Sequence, residues 1–286
     1  MALCFKLKIA PEDVPAELRD RPAYQALQHF REQIQAAYQQ AKQDGRINCP
    51  RENVLLFPSV EGDVVHFNTT RVVRRSAIDG AQLSAAEIEA RQQLRQIWNV
   101  LRQDVPLFRH SRLYSVAPQI GIRESRRIVG REYLTLDHYH QAKTFPDAIA
   151  RVTYPVDIHN PNGTGTQIVH LPKGQWYEIP YGCLLPRDID NLLIASRCIS
   201  ADHATHSSLR VMPPVCSIGQ AAGTAAALAL HDRIDPHAVN PQTLRDRLIA
   251  QGRPLGPVDP PSTPESPQQA AARTQRSQAA AKSFSA

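Results

Sequence analysis

Residues 190–228 read Asp190-Asn-Leu-Leu-Ile-Ala-Ser-Arg-Cys-Ile-Ser-Ala-Asp-His-Ala-Thr-His-Ser-Ser-Leu-Arg-Val-Met-Pro-Pro-Val-Cys-Ser-Ile-Gly-Gln-Ala-Ala-Gly-Thr-Ala-Ala-Ala-Leu228. Leu192–Ala195 is a continuous apolar run of the kind that forms a strand buried on both faces. A polar loop follows, and then a long helix is expected from about Pro214 to Leu230. The first turns of that helix carry only small residues at Ser217, Gly219, Ala221, Ala222 and Gly223. A helix amino terminus exposes unpaired N–H groups and partial positive charge, so it stabilises an anion or a negatively charged ring. Small side chains let a flat ligand approach the backbone. The same Gly219-x-x-x-Gly223 spacing also serves close helix packing, and the local pattern alone leaves both readings open.

Working outward, Asn240-Pro241 is an N-cap followed by proline at the first helical position, opening a last helix to about Ala250. Beyond Gly252 proline recurs among Ser, Gln and Ala, a composition that predicts a disordered tail over 252–286. Upstream, Leu113–Val116, Arg126–Val129, Ile149–Val156, Gln167–Leu171 and Trp176–Ile179 are short strand candidates, with turns at Asn162-Gly163 and Lys173-Gly174. Their spacing predicts a largely antiparallel sheet. Ser84 and Glu87 form a capping-box pattern ahead of Ile88, Leu94, Trp98 and Leu101. Tyr24, Leu27, Phe30, Ile34, Ala37, Tyr38 and Ala41 mark an earlier amphipathic helix ending at Asp44-Gly45. Val54–Phe57 and Val64–Phe67 read as a hairpin, and Leu3, Phe5, Leu7 and Ile9 alternate with polar residues as a first strand rather than a signal peptide.

At 286 residues the chain has length for one large domain or two modest ones, taking about 150 residues per domain. Lys plus Arg number 33 against 27 Asp plus Glu, a net charge of +6, part of which sits in the tail at Arg253, Arg273, Arg276 and Lys282. The rest is too diffuse for a nucleic-acid stripe. Five cysteines without a C-x-x-C pair argue against a disulfide framework or a zinc ribbon, and make a reducing compartment, the cytoplasm, the default. No apolar run approaches a membrane span.

Three polar clusters have the composition of a site. Arg123, Glu124, Arg126 and Arg127 are either an anion or substrate pocket or a solvated charged face. Tyr154, Asp157 and His159 lie on one strand, where Asp157 is close enough to orient His159 as a general base; the alternative is a structural hydrogen-bonded trio. Asp202, His203 and His206 are three potential metal ligands, but no H-E-x-x-H pattern accompanies them, so no metal is expected and His203 is assigned to the substrate. Cys183, Cys198 and Cys216 read as packed thiols, and no G-x-S-x-G elbow occurs.

Taken in order, Gly121-Ile-Arg-Glu-Ser-Arg-Arg-Ile-Val-Gly130, Tyr154-Pro-Val-Asp-Ile-His159, Tyr177-Glu-Ile-Pro-Tyr181, Asp190 to Ser200, Arg210-Val-Met-Pro213 and Gly219-Gln-Ala-Ala-Gly-Thr224 resemble the carboxyl-terminal motifs of the FAD-dependent oxidoreductase family. That family is related to two-dinucleotide-fold flavoproteins of the glutathione reductase and fumarate reductase kind, and the resemblance runs from the first strand to Ala229. It implies FAD as cofactor, with Ser196 and Arg197 by the ribityl chain or pyrophosphate and Arg210, Val211 and Met212 beside the flavin ring. Gly219, Gln220 and Ala221, at the helix start, would face the pyrimidine end. His159, His203 and Arg123 would orient a small organic substrate that gives up a hydride. Ser196 stands where the family usually has Gly, adding a side chain where backbone contact is expected.

A larger departure is the absence of the family's opening G-x-G-x-x-G turn, which holds the ADP half of FAD. The closest approach is Gly163 and Gly165, with Ile168 where a third glycine should stand. The resemblance therefore implies an α+β chain derived from an α/β parent: a mixed, largely antiparallel substrate-domain sheet with helices, plus the last strand and helix of a two-dinucleotide-type fold. The expected division is a substrate or cap domain over 1–187, the carboxyl-terminal segment of an FAD-binding domain over 188–251, and the tail. The amino-terminal FAD-binding half is expected from another chain. Two other readings stand beside this one: a non-catalytic remnant or interaction component of a split flavoprotein, and a metal-dependent hydrolase built on Asp202–His206.

Overall fold

The computed structural model describes residues 1–16, 23–159 and 165–256, with the side chains of 23–26 and 159 outside that description. Most of the tail expected at 252–286 lies outside it as well, from 257 onward. The fold is α+β, as expected. Two compact units make it up, one of Met1–Ser125 with 159–166 and one of Arg126–Ile158 with Gln167–Ala286.

The first unit is built on the four-stranded antiparallel sheet β2-β3-β1-β4, comprising β1 (Phe5–Lys8), β2 (Leu56–Pro58), β3 (Val64–Phe67) and β4 (Arg112–Val116). Strand alternation sends Phe5 and Leu7 inward and leaves Lys6 and Lys8 on the other face. The expected hairpin forms, with Leu56 opposite Phe67. Two helices, α1 (Ala23–Gln43) and α2 (Gly80–Asp104), supply Leu27, Ile34, Tyr38, Leu94 and Ile97 to one apolar core with Phe5, Phe67 and Phe108. Phe5 and Phe67 stack with ring centroids 5.0 Å apart.

The capping box expected at Ser84 and Glu87 does not form. Helix α2 begins a turn earlier, because the carboxylate of Asp79 accepts the N–H groups of Ala81 and Gln82. Ser84 instead donates back to the Gly80 carbonyl at 2.8 Å. Ile88 stays exposed, and the buried stripe runs through Ala86, Ala90, Leu94, Ile97 and Leu101.

In the second unit, α3 (Leu136–His140) precedes β5 (Ala148–Val152), which pairs antiparallel with β8 (Tyr177–Pro180). Between them β6 (Val156–His159) pairs with β7 (Thr166–Val169). The strand expected at Arg126–Val129 is not assigned. Then come α4 (His203–Leu209), α5 (Met212–Asp232) and α6 (Pro241–Ala250), the last opened by Asn240 as expected, its side chain accepting from Gln242 and Thr243. Helix α5 buries Ile218, Ala221, Ala222, Ala225 and Ala229 at three- and four-residue spacing. These short side chains let it lie close to β5 in a core with Tyr139, Ile149, Tyr177 and Leu244.

The buried strand expected at Leu192–Ala195 is also not assigned, and its residues are half-buried or exposed, Leu192 at 39%. An apolar run of this kind is buried on both faces only where strands flank it in a sheet, and none does so among the described residues. Its backbone is held by a loop instead, where the Ile194 amide donates to the Leu184 carbonyl at 3.0 Å.

Candidate functional site

The segment from Asn191 to Asp202 is fixed by hydrogen bonds from three other stretches. The Asn191 amide, on a left-handed residue, donates to the Asp235 carboxylate at 2.8 Å. Ile128 N–H donates to the Cys198 carbonyl at 3.0 Å, Ser200 N–H to the Cys183 carbonyl at 3.0 Å, and Leu134 N–H to the Ser200 carbonyl at 3.2 Å. Close packing accompanies these bonds. A Cβ placed on Gly130 would fall 2.7 Å from the Ser200 Cβ, so glycine is required there for space.

This framework carries Ser196 and Arg197 to the side of α5, where a Cβ placed on Gly219 would lie 4.0 Å from the Ala195 carbonyl oxygen. Ser196 closes its own turn, since its Oγ accepts from the Cys198 amide at 3.3 Å and lies 2.9 Å from the Cys198 Sγ. The hydroxyl that departs from the expected glycine is thus used locally. Arg197 is exposed.

Gly219 and Gly223 are not packing glycines among the described residues. A Cβ on Gly223 meets nothing within 4 Å, and one on Gly219 only just touches Ala195. The close-packing alternative for this pair therefore fails, and the face they share stays open for the approach of another group.

Other placements differ from expectation. Helix α5 starts at Met212, so Gly219, Gln220 and Ala221 lie about two turns inside it rather than at its start. Pro213 and Pro214 occupy its first turn and have no N–H to offer, which removes two of the donors that a helix amino terminus supplies. Ala221 is fully buried in the core and turned away from the open face. Gln220 is half-buried and engaged by its neighbours: its Nε2 donates to Gln251 Oε1 at 2.7 Å, and its Oε1 accepts from Arg253 Nε. Val211 is half-exposed and Met212 is 81% exposed at the helix start. Beside Gln220, α5 and the end of α6 border an open groove of about 590 Å³ lined by Gly223, Thr224, Ala227 and Arg247.

The loop expected around Asp202–His206 contains helix α4. Asp202 is its N-cap, with one carboxylate oxygen accepting from Thr205 N–H at 2.7 Å and the other from Leu136 N–H at 2.6 Å. Both oxygens serve the backbone, which weighs against the hydrolase reading, and no group of three His, Cys, Asp or Glu able to hold a metal occurs among the described residues. His203 opens α4 and is exposed, whereas His206 is buried. Ser208 Oγ donates to the Tyr154 carbonyl at 2.6 Å and accepts from Tyr177 OH at 2.9 Å, and Ser207 Oγ accepts from the Asp157 amide at 3.0 Å. Burial pushes the Tyr177 phenol far above its ordinary range. Arg210 closes α4, and its Nη2 reaches the Asp157 carbonyl at 3.4 Å.

Of the proposed strand trio, Tyr154 precedes β6 and Asp157 lies within it. His159 ends β6, but its side chain lies outside the described residues. Arg123 belongs to the first unit, where it is half-buried. There it pulls the Cys4 thiol down, while the larger effect of burial pushes it up. Burial also pushes the Cys183 thiol well up, as does the charge of Glu132 and Asp147, in keeping with a packed thiol.

The donor set fits one end of FAD and not the other. The open Gly219–Gly223 face beside Arg197 and Met212 suits a flat ring, but nothing in the sequence forms a dinucleotide turn for the ADP end. Sequence reasoning missed Gln251 and Arg253 as neighbours of Gln220. Residues from 252 onward read as a disordered tail, and nothing in the pattern shows that the chain turns back there. Among the described residues no helix is long and apolar enough to cross a membrane.

A model of the FAD dependent oxidoreductase family matches residues 1–248 of the chain. No curated protein and no solved structure matches it. With nearly the whole described chain covered, and with the motifs falling in order on the framework just described, the chain belongs to the FAD dependent oxidoreductase family, a flavoprotein family whose cofactor is FAD.

Proposed function

We propose that this chain supplies the substrate domain and the flavin end of an FAD-dependent oxidoreductase, and that a separate chain supplies the dinucleotide-binding half. The observation that carries this reading is the open α5 face. Gly219 stands beside the apolar segment 192–195, Gly223 follows one turn on with nothing packed against it, and among the described residues no strand flanks that segment as its composition calls for. A half-exposed apolar segment is a liability unless something covers it. Ser196, Arg197, Val211, Met212 and Gly219 would hold the flavin end, and Arg210 braces the loop through Asp157. When bound, FAD would supply the acceptor for a hydride from an organic substrate.

The chain's own groups would do the remaining work. Within the second unit, His203 would orient the substrate from the exposed start of α4. The rigid Ser200–Asp202 framework keeps His203 in place.

The test is to purify the chain alone, and again co-expressed with a companion half carrying G-x-G-x-x-G, each with added FAD. The expected result is flavin absorbance that co-purifies only when both are present. Colourless protein in both preparations overturns the reading.

A further inference from the structure

The chain turns back on itself after α6. Gly252, with φ +85°, makes the turn, and Gln251–Gly256 forms a strap across α5. Two sets of bonds hold it, and they differ in kind. At the base Leu255 is buried, and its carbonyl accepts from Arg245 Nη2 at 2.7 Å and Arg151 Nη2 at 3.4 Å. The Gly256 carbonyl accepts from Arg151 Nη2 at 2.9 Å. Both arginines face the buried carboxylate of Glu178, at 2.9 and 4.0 Å.

At the rim the bonds join side chain to side chain near solvent. Gln251 Oε1 accepts from Gln220 Nε2 at 2.7 Å and from Thr224 Oγ1 at 3.4 Å. Arg253 donates to Gln220 Oε1 and, at 3.5 Å, to Ser217 Oγ. Arg253 makes charge-assisted bonds at the rim as the arginines do at the base, and these bonds are partly buried in both sets. What separates the two is anchorage: the base has the buried Leu255 and arginines pinned by Glu178, whereas Gln251, Gly252 and Pro254 at the rim are exposed, so the rim opens more readily than the base.

Opening the rim frees both ends of the Gln220 carboxamide, one donor group and one acceptor. These are the complementary pair that the dione edge of a planar heterocycle engages. We propose that Gln251–Gly256 is a latch: it satisfies Gln220 while the α5 face is empty, and its rim releases when a flavin edge takes Gln220 instead. The latch rests on the reading that α5 receives the flavin end.

The test uses the full chain with flavin mononucleotide, a probe that carries the flavin end without the ADP half. Hydrogen–deuterium exchange is followed over 248–256 and flavin fluorescence quenching gives the affinity, for the wild type, Arg253→Ala and Gln251→Ala. A latch closed about nine-tenths of the time lowers apparent affinity roughly tenfold. Both variants are thus expected to bind about tenfold tighter, and saturating ligand is expected to speed exchange at 251–253, whose amides bond to the last turn of α6. If one variant fails to fold, the other variant and the wild-type exchange pattern carry the test. Equal affinities, or tight binding with unchanged exchange at 251–253, overturn the latch and leave the flavin reading standing. If neither the wild type nor the variants bind the probe, the latch falls, and the flavin reading is decided by the co-expression with the companion half.

Discussion

Gly130→Ala should loosen the framework under the candidate site, and the size of the effect follows from three distances. An added Cβ would lie 2.7 Å from Ser200 Cβ, 3.0 Å from the Gly182 carbonyl oxygen and 3.1 Å from the Glu132 carbonyl oxygen. Ordinary carbon contacts fall near 3.5–4.0 Å, so the closest of these is short by about 1 Å. Neither side yields easily. Ser200 is fully buried, and its amide and carbonyl are bonded to Cys183 and Leu134. Backbone strain is not the cause, because Gly130 is not among the residues with positive φ.

Overpacking of this kind costs about 1–3 kcal/mol, and stretching one of the Ser200 bonds adds about 1 kcal/mol, for a total of about 2–4 kcal/mol. With a urea slope of about 1–3 kcal/mol per molar, the midpoint of the second unit, followed through Trp176, falls by roughly 1–2 M. Amide exchange at Leu134 and Ser200 should quicken at the same time. Ser200→Gly in the Gly130→Ala background removes the 2.7 Å contact but not the two carbonyl contacts, so it restores part of the loss. The pair should show a coupling above about 1 kcal/mol in a double-mutant cycle. A Gly130→Ala midpoint matching the wild type, or losses that simply add, would refute the reasoning.

Two further outcomes are expected. Glu178 is buried between Arg151 and the Phe145 amide, each at 2.9 Å, so Arg151→Met leaves its charge to the more distant Arg245 at 4.0 Å and should cost about 3 kcal/mol, the low end for a broken buried pair, while adding Glu178→Leu recovers much of that; a loss under about 1 kcal/mol for Arg151→Met counts against it. His66 is held below the ordinary histidine range, first by burial and then by Lys6 opposite it on β1. Its contribution to stability is therefore present above the ordinary histidine pKa and lost as pH falls through the depressed folded value. A proton-NMR titration should place its midpoint below that of free histidine, with Lys6→Gln raising it only in part because burial remains; a midpoint at or above the free value contradicts the assignment.

Much of the architecture was legible because it rests on local periodicity. Alternation at Phe5 and Leu7, the three- and four-residue stripes of α1 and α5, and the Asn240-Pro241 cap each report a side chain's direction from its spacing alone. Where two local signals competed, the pattern misled. Ser84 and Glu87 have capping-box spacing, yet Asp79 binds the free amides a turn earlier. The start of α5 was placed two residues late, because Met212-Pro213-Pro214 reads as a boundary although proline is at home in a first turn.

What the sequence by itself determined is the class of chain: ordinary globular composition, an α+β order of elements, and a set of ordered motifs that place it with FAD-dependent oxidoreductases. Those properties depend on residue type and spacing, which a linear string contains. Only the tertiary structure decided that Leu192–Ala195 forms no strand, that Ala221 faces the core, that Gly219 and Gly223 stand open, and that Gln251 and Arg253 reach Gln220. Each of these depends on what lies across space from a residue. Spacing along the chain encodes the direction a side chain takes from its own backbone, but not which distant segment meets it there.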